Sequence, residues 1–95
     1  MLRLKVFWKK DCPNCPKGKA VVTQVEKKGV EADYYDIETV EGLTDATFFT
    51  VLSTPSIIIV DENDNEVSAF RGEKEIPTME ELENALGIKG GDLND

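Results

Sequence analysis

At 95 residues the chain suits a single domain with its own core, and its 40% hydrophobic and 32% charged residues are typical of a folded protein rather than a disordered one. A formal net charge of −8 argues against the basic face that a nucleic acid or an anionic membrane would need.

Residues 2–8 predict a strand. Leu2, Leu4 and Val6 fall on one face and Arg3 and Lys5 on the other, and Phe7 and Trp8 extend the apolar character. Lys9-Lys10-Asp11 forms a short loop into Cys12-Pro13-Asn14-Cys15. Residues 13–28 predict a helix. Pro13 and Pro16 suit a first turn, where a missing N–H has no intrahelical partner anyway. Ala20, Val21 and Val25 form its apolar stripe with Val22 beside it; Lys27-Lys28 favour the negative end of the dipole, and Gly29 is a stop. Gly18 reads as a weak point near the helix start. Val30 to Ile37 predicts a second strand. Thr39 is the expected N-cap of a helix over 40–52, with Leu43, Ala46, Phe49 and Leu52 on its buried side.

The β-branched run Ile57–Val60 predicts a strand buried on both faces. Asp61–Asn65, dense in turn residues, joins it to Glu66–Phe70 as a hairpin. Thr78-Met79-Glu80-Glu81 is a capping box that opens a helix to about Leu86, closed by Gly87. Residues 1–88 then form one domain, and 89–95 a flexible tail. The order β-α-β-α-β-β-α implies an α/β fold: a mixed four-stranded sheet, helices on both faces, and the first two strands parallel through a right-handed crossover.

The N-terminus alternates charged and apolar residues, unlike a secretory leader, and no segment approaches membrane-spanning length, so a cytoplasmic location is expected. In that compartment the only two cysteines, separated by two residues, read as redox-active or metal-binding. A metal site would need ligands beyond these two, and the chain has no histidine. A thiol at a strand-to-helix corner lies near free backbone N–H groups and the positive end of the dipole. Cys12 is therefore the expected attacking thiolate and Cys15 the resolving thiol. Lys9 and Lys10 favour ionisation and Asp11 opposes it.

Thr54-Pro55 stands directly before the buried strand. By itself a proline there reads most simply as a helix terminator; its position also fits a cis peptide bond facing the thiols, with neighbouring backbone groups left to pair with an extended substrate. Gly72, after the last strand, permits close approach of a partner backbone, and Trp8 is a candidate for the rim of the site. Asp33, Asp36, Glu38 and Glu41 form an acidic cluster read as a solvated face.

Cys12-Pro13-Asn14-Cys15 after a first strand, Thr54-Pro55 before Ile57–Val60, and Gly72 after the final hairpin together resemble the thioredoxin/glutaredoxin superfamily over residues 2–87. The resemblance implies a thioredoxin-like fold and thiol–disulfide oxidoreductase activity with no bound cofactor. It makes Cys12 the nucleophile and Cys15 the resolving cysteine. Pro55 is then cis, and Thr54 offers backbone hydrogen bonds to substrate, with Trp8, Pro13, Asn14 and Gly72 around them. Phe7-Trp8 looks like thioredoxin, while a proline inside the motif looks like glutaredoxin. Cys12 to Pro16 also resembles small glutaredoxin-like redoxins of anaerobic bacteria and archaea, some of which accompany ribonucleotide reductase. Val6 stands where thioredoxins carry a buried aspartate, and Arg71-Gly72-Glu73-Lys74 has one glycine where glutaredoxins have two. The implied partners are target protein disulfides and a flavoprotein thioredoxin reductase, acting on a monomer. Glutathione-dependent glutaredoxin is the rival enzyme, and a redox-sensing binding module the rival non-enzyme.

Overall fold

Strands β1 (Arg3–Trp8), β2 (Glu31–Asp36), β3 (Ser56–Val60) and β4 (Glu66–Arg71) alternate with helices α1 (Cys15–Glu26), α2 (Val40–Phe48) and α3 (Met79–Leu86) in the expected order. This computed structural model describes residues 1–88; the expected tail at 89–95 lies outside the described residues. The sheet order is β2-β1-β3-β4, with β1 parallel to β2, antiparallel to β3, and β3 antiparallel to β4. The crossover through α1 makes the first pair parallel, and the hairpin makes the last pair antiparallel.

Strand alternation divides the core in two. Leu4, Val6, Ile57 and Ile59 face α1 and α3, meeting Val22, Val25, Leu82 and Leu86. Phe7, Ile58 and Val60 face α2, meeting Ala46, Phe49 and Val51. The central strand β3 is buried along its whole length, as its β-branched run implies. Lys5, on the α2 face, is only 6% exposed. Its ammonium donates to the Tyr35 hydroxyl (2.9 Å), pairs with Asp45 (3.5 Å) and lies over the Tyr35 ring. Burial presses its pKa down, but the bond to Tyr35 and the charge of Asp45 outweigh that and leave it raised.

Both long helices differ in detail from expectation. Helix α1 starts at Cys15, with Asn14 as N-cap, so Pro13 lies in the preceding turn. Its buried residues are Cys15, Gly18, Val22 and Val25, spaced three and four apart, while Ala20 is exposed and Val21 half-buried. Once Cys15 points at the sheet, helical periodicity carries position 20 to the opposite side. Helix α2 stops at Phe48, because Thr50 turns left-handed (φ 56°) and the Val51 N–H returns to the Ala46 carbonyl (2.7 Å). Its inward face is Gly42, Ala46 and Phe49; Leu43 and Leu52 are exposed rather than buried. Gly42 explains the rotation. A Cβ there would stand 1.9 Å from the Asp36 carbonyl oxygen, so the helix seats its glycine against the end of β2 and turns Leu43 outward.

The capping box at Thr78 and Glu81 is complete, and Gly87 ends α3 in the left-handed conformation. A partly buried ion pair between Lys28, in the turn after α1, and Glu83 ties that turn to α3. In the β3–β4 turn the Asp61 carboxylate accepts from the N–H groups of Asn63 (2.8 Å) and Asn65 (2.9 Å), which holds its pKa below the usual aspartate value. A depressed carboxyl contributes stability above its unfolded pKa and loses it as pH falls through the folded value. Thermal melts of the parent and Asp61→Ala should therefore differ at neutral pH and converge as pH drops below the ordinary aspartate range. A difference that persists unchanged at low pH would contradict this account.

Candidate active site

Cys12 and Cys15 are joined by a disulfide, with Cα atoms 5.3 Å apart. The Cys15 N–H donates to the Cys12 carbonyl (3.2 Å), closing a tight turn that leads into α1. Cys12 is 8% and Cys15 3% exposed, so both are more enclosed than an open corner would leave them. Only Cys12 reaches the surface cleft described below, flanked by exposed Asp11 and Pro13. The Asn14 side chain makes no capping bond, and the first turn of α1 carries no acidic residue. The Cys15 N–H is spent on the Cys12 carbonyl and Pro16 has none, so it is chiefly the helix dipole, with no carboxylate in the first turn to oppose it, that favours a thiolate.

The opposite wall is the segment before β3. The Thr54–Pro55 bond is cis, as the family resemblance implies. Pro55 is buried against Gly18 of α1; a Cβ on Gly18 would lie 3.1 Å from the Pro55 Cβ. The apparent weak point in the helix is therefore the seat of the proline. The Gly72 N–H donates to the Pro55 carbonyl (3.1 Å) and to the Ser56 hydroxyl (3.1 Å), which itself donates to the Ser53 carbonyl (2.7 Å). These bonds hold the loop from both sides. Among the described residues, no backbone–backbone hydrogen bond uses the N–H or C=O of Thr54.

Between the walls lies a cleft of about 280 Å³, bounded by Lys9, Asp11, Cys12, Pro13 and Asn14 on one side and by Leu52, Ser53, Thr54 and Glu73 on the other. It runs into a second groove that shares Ser53, Thr54 and Glu73 and includes Gly72. Six of the expected site residues (Cys12, Cys15, Pro13, Asn14, Thr54 and Pro55) thus come together, with Gly72 beside them. Trp8 does not line the cleft. It is half-buried, with the Lys19 ammonium 3.7 Å from its ring centroid, and borders a separate depression between β2 and α2. Val6 is fully buried, so no carboxylate occupies that position beneath the motif.

Two cleft features are not apparent from sequence reasoning. Glu73 bonds to the Asn14 side chain across the cleft rim. Leu52, expected in the core, is 90% exposed at the cleft edge. Gly18 carries a legible signal, since it stands three residues after Cys15 on the same helical face. Glu73 and Leu52 carry none, because both depend on where the loops end up. Among the described residues, no group of three or more His, Cys, Asp or Glu is placed to hold a metal ion, and no helix is long and apolar enough to cross a membrane.

Gly72 has φ 85° and ψ 169°, a conformation open essentially to glycine alone. An added Cβ would also meet the Ser53 hydroxyl at 2.7 Å, a contact the serine can relieve by rotating. Backbone strain therefore sets the cost, and Gly72→Ala should lose about 1–3 kcal/mol in urea unfolding. A loss below about 0.5 kcal/mol, the size of an ordinary surface change, would refute the assignment.

Comparisons with known proteins agree with this geometry. The family profile described as "Thioredoxin domain" matches residues 2–87. A "Probable Thioredoxin" of Archaeoglobus fulgidus is 38% identical over 63 residues, covering 65% of this chain and 69% of that protein. Among solved structures, a thioredoxin-2 described as a component of the malaria parasite's protein secretion machinery superposes with a TM-score of 0.74 at 20% identity, covering 92% of this chain and 82% of that one. A thioredoxin from Thermus thermophilus gives 0.67 at 19% identity, covering 99% and 79%. At such identities the structural matches speak for the fold alone, whereas the profile and the archaeal relative speak for descent. The chain belongs to the thioredoxin family and is a thiol–disulfide oxidoreductase.

Proposed function

We propose that the protein reduces disulfides in target proteins, with Cys12 as nucleophile and Cys15 as resolving thiol. The observation that best supports this reading is the unpaired backbone of Thr54 facing the cleft that Cys12 opens into. An extended segment of a target can pair with Thr54 as an added strand, which brings its disulfide onto Cys12. The Cys12 thiolate attacks one target sulfur, forming a mixed disulfide and releasing the other as a thiolate. Deprotonated Cys15 then attacks the Cys12 sulfur, frees the second target thiolate and leaves Cys12–Cys15 oxidised. With Val6 beneath the motif, the proton of Cys15 goes to another group or to water. Pro13 and Asn14 shape the motif side of the cleft, Gly72 lets the target backbone approach, and Trp8 supports the site from the adjoining surface.

In this proposal a flavoprotein thioredoxin reductase returns the electron pair, and the protein works as a cytoplasmic monomer with no cofactor beyond its dithiol. Enzymes that must re-reduce a catalytic disulfide, ribonucleotide reductase among them, are the fitting target class. Glutathione is the rival donor. Lys9 suits its carboxylate, but Asp11 and Glu73 border the same cleft and oppose an anion. Insulin reduction separates the readings when driven in turn by dithiothreitol, by glutathione with its reductase, and by a purified thioredoxin reductase. The proposal expects turnover with the first and third. Turnover only with glutathione would favour the rival enzyme, and none with dithiothreitol would favour the redox-sensing binding module.

A further inference from the structure

The Cys12 cleft carries two side chains that the exchange chemistry does not use. Leu52 stands 90% exposed on the loop before Thr54 and places an apolar side chain on the cleft that Cys12 opens into. Glu73 borders the same wall of the cleft, on a short turn anchored by the Gly72 bonds to Pro55 and Ser56 and by the Glu75 N–H to the Gly72 carbonyl (3.1 Å). Its carboxylate accepts from the Asn14 side chain, so it is aimed at the motif rather than away into solvent. The other charged groups on the cleft are Lys9 and Asp11, which offset each other and leave Glu73 to set the sign. Nearby, Arg71 is committed to Glu66 and to the Phe49 carbonyl, and the adjoining groove also carries the opposite charges of Lys74 and of Glu75, whose carboxylate accepts from the Arg71 backbone N–H.

We propose that Leu52 and Glu73 determine specificity, selecting target disulfides flanked by an apolar side chain on one side and a lysine or arginine on the other. This rests on the reading of Cys12 as the attacking thiolate. When a target enters, its apolar residue covers Leu52 and removes both surfaces from water. Its cation meets the Glu73 carboxylate, either replacing Asn14 or sharing it. The overall charge of −8 adds a long-range attraction for the same targets.

The test uses four short peptides, each with one cysteine linked as a mixed disulfide to thionitrobenzoate. The cysteine is flanked by Leu and Lys, Leu and Glu, Ser and Lys, or Ser and Glu. Attack of the Cys12 thiolate on the peptide sulfur forms Cys12–S–S–peptide and expels the coloured thionitrobenzoate anion, so stopped-flow absorbance reads the second-order rate. The fully reduced protein should prefer Lys over Glu by about three- to tenfold at low salt, with the ratio shrinking at high salt. It should prefer Leu over Ser by about five- to tenfold, an effect that salt does not reduce.

Glu73→Gln keeps an acceptor for Asn14 but removes the charge, and should pull the Lys:Glu ratio toward that left by Lys9 and Asp11 while the Leu:Ser ratio stays. Leu52→Ser should do the reverse. Each variant is thus a folding control for the other. Ratios unchanged in both variants would overturn the proposal while leaving the mechanism intact. Failure of the parent to react with any peptide would overturn the Cys12 reading and this proposal with it.

Discussion

Cys15→Ser should accumulate a stable covalent adduct with a disulfide-bonded target, linked through Cys12, whereas Cys12→Ser should form none. The asymmetry follows from where the two sulfurs lie. Cys12 opens onto the cleft beside Thr54, while Cys15 is the first residue of α1 and turns toward the core. A target sulfur can reach Cys12, and only Cys15 is placed to release it. Without Cys15 the mixed disulfide has no internal attacker and persists. Turnover in dithiothreitol-driven insulin reduction should fall by at least about 10³-fold for Cys12→Ser, as for other groups that act as one catalytic unit. Non-reducing electrophoresis with mass spectrometry of the adduct reads the trapping. Equal trapping by both variants would show that the assigned roles are wrong.

Phe7→Ala should be the most destabilising single truncation on the α2 face of the sheet. Phe7 has no exposed surface, stacks on Tyr35 with centroids 5.2 Å apart, and approaches Phe49 at 6.4 Å. Those same two rings receive the Lys5 ammonium, so the cavity would also loosen the support of a buried charge. A phenylalanine truncated in a core costs about 3–5 kcal/mol, a large part of the roughly 5–15 kcal/mol that holds a domain folded. Urea midpoints of the oxidised proteins measure the change. Leu43→Ser is the matched control. Leu43 is 56% exposed, and its loss should stay within about 0.5 kcal/mol. If Leu43→Ser costs as much as Phe7→Ala, the orientation assigned to α2 is wrong.

That control marks a boundary of sequence reasoning. Apolar spacing in α2 puts Leu43, Ala46, Phe49 and Leu52 on one face; Ala46 and Phe49 are buried as expected, and Leu43 is not. Leu43 turns outward because the end of β2 comes so near Gly42 that only a glycine fits there. Leu52 lies outside the core because the helix ends at Phe48 and the chain turns left-handed at Thr50. In α1 the position of Cys15 overrides the expected stripe and exposes Ala20.

Sequence alone determined the order of elements, the buried central strand, the capping box of α3 and the positions of the cysteine pair and the cis proline. Each of these is written locally: in β-branched runs, in a four-residue cap, in cysteines separated by two residues, and in a proline directly before a strand. Tertiary structure alone decided how those pieces meet. It seated Pro55 on Gly18, tied the proline loop to Gly72, left the Thr54 backbone unpaired, set Trp8 outside the cleft, and brought Glu73 to Asn14 from 59 residues away. These are contacts between segments distant in sequence, fixed by close packing and by where backbone hydrogen bonds are already spent. No local pattern of residues encodes them.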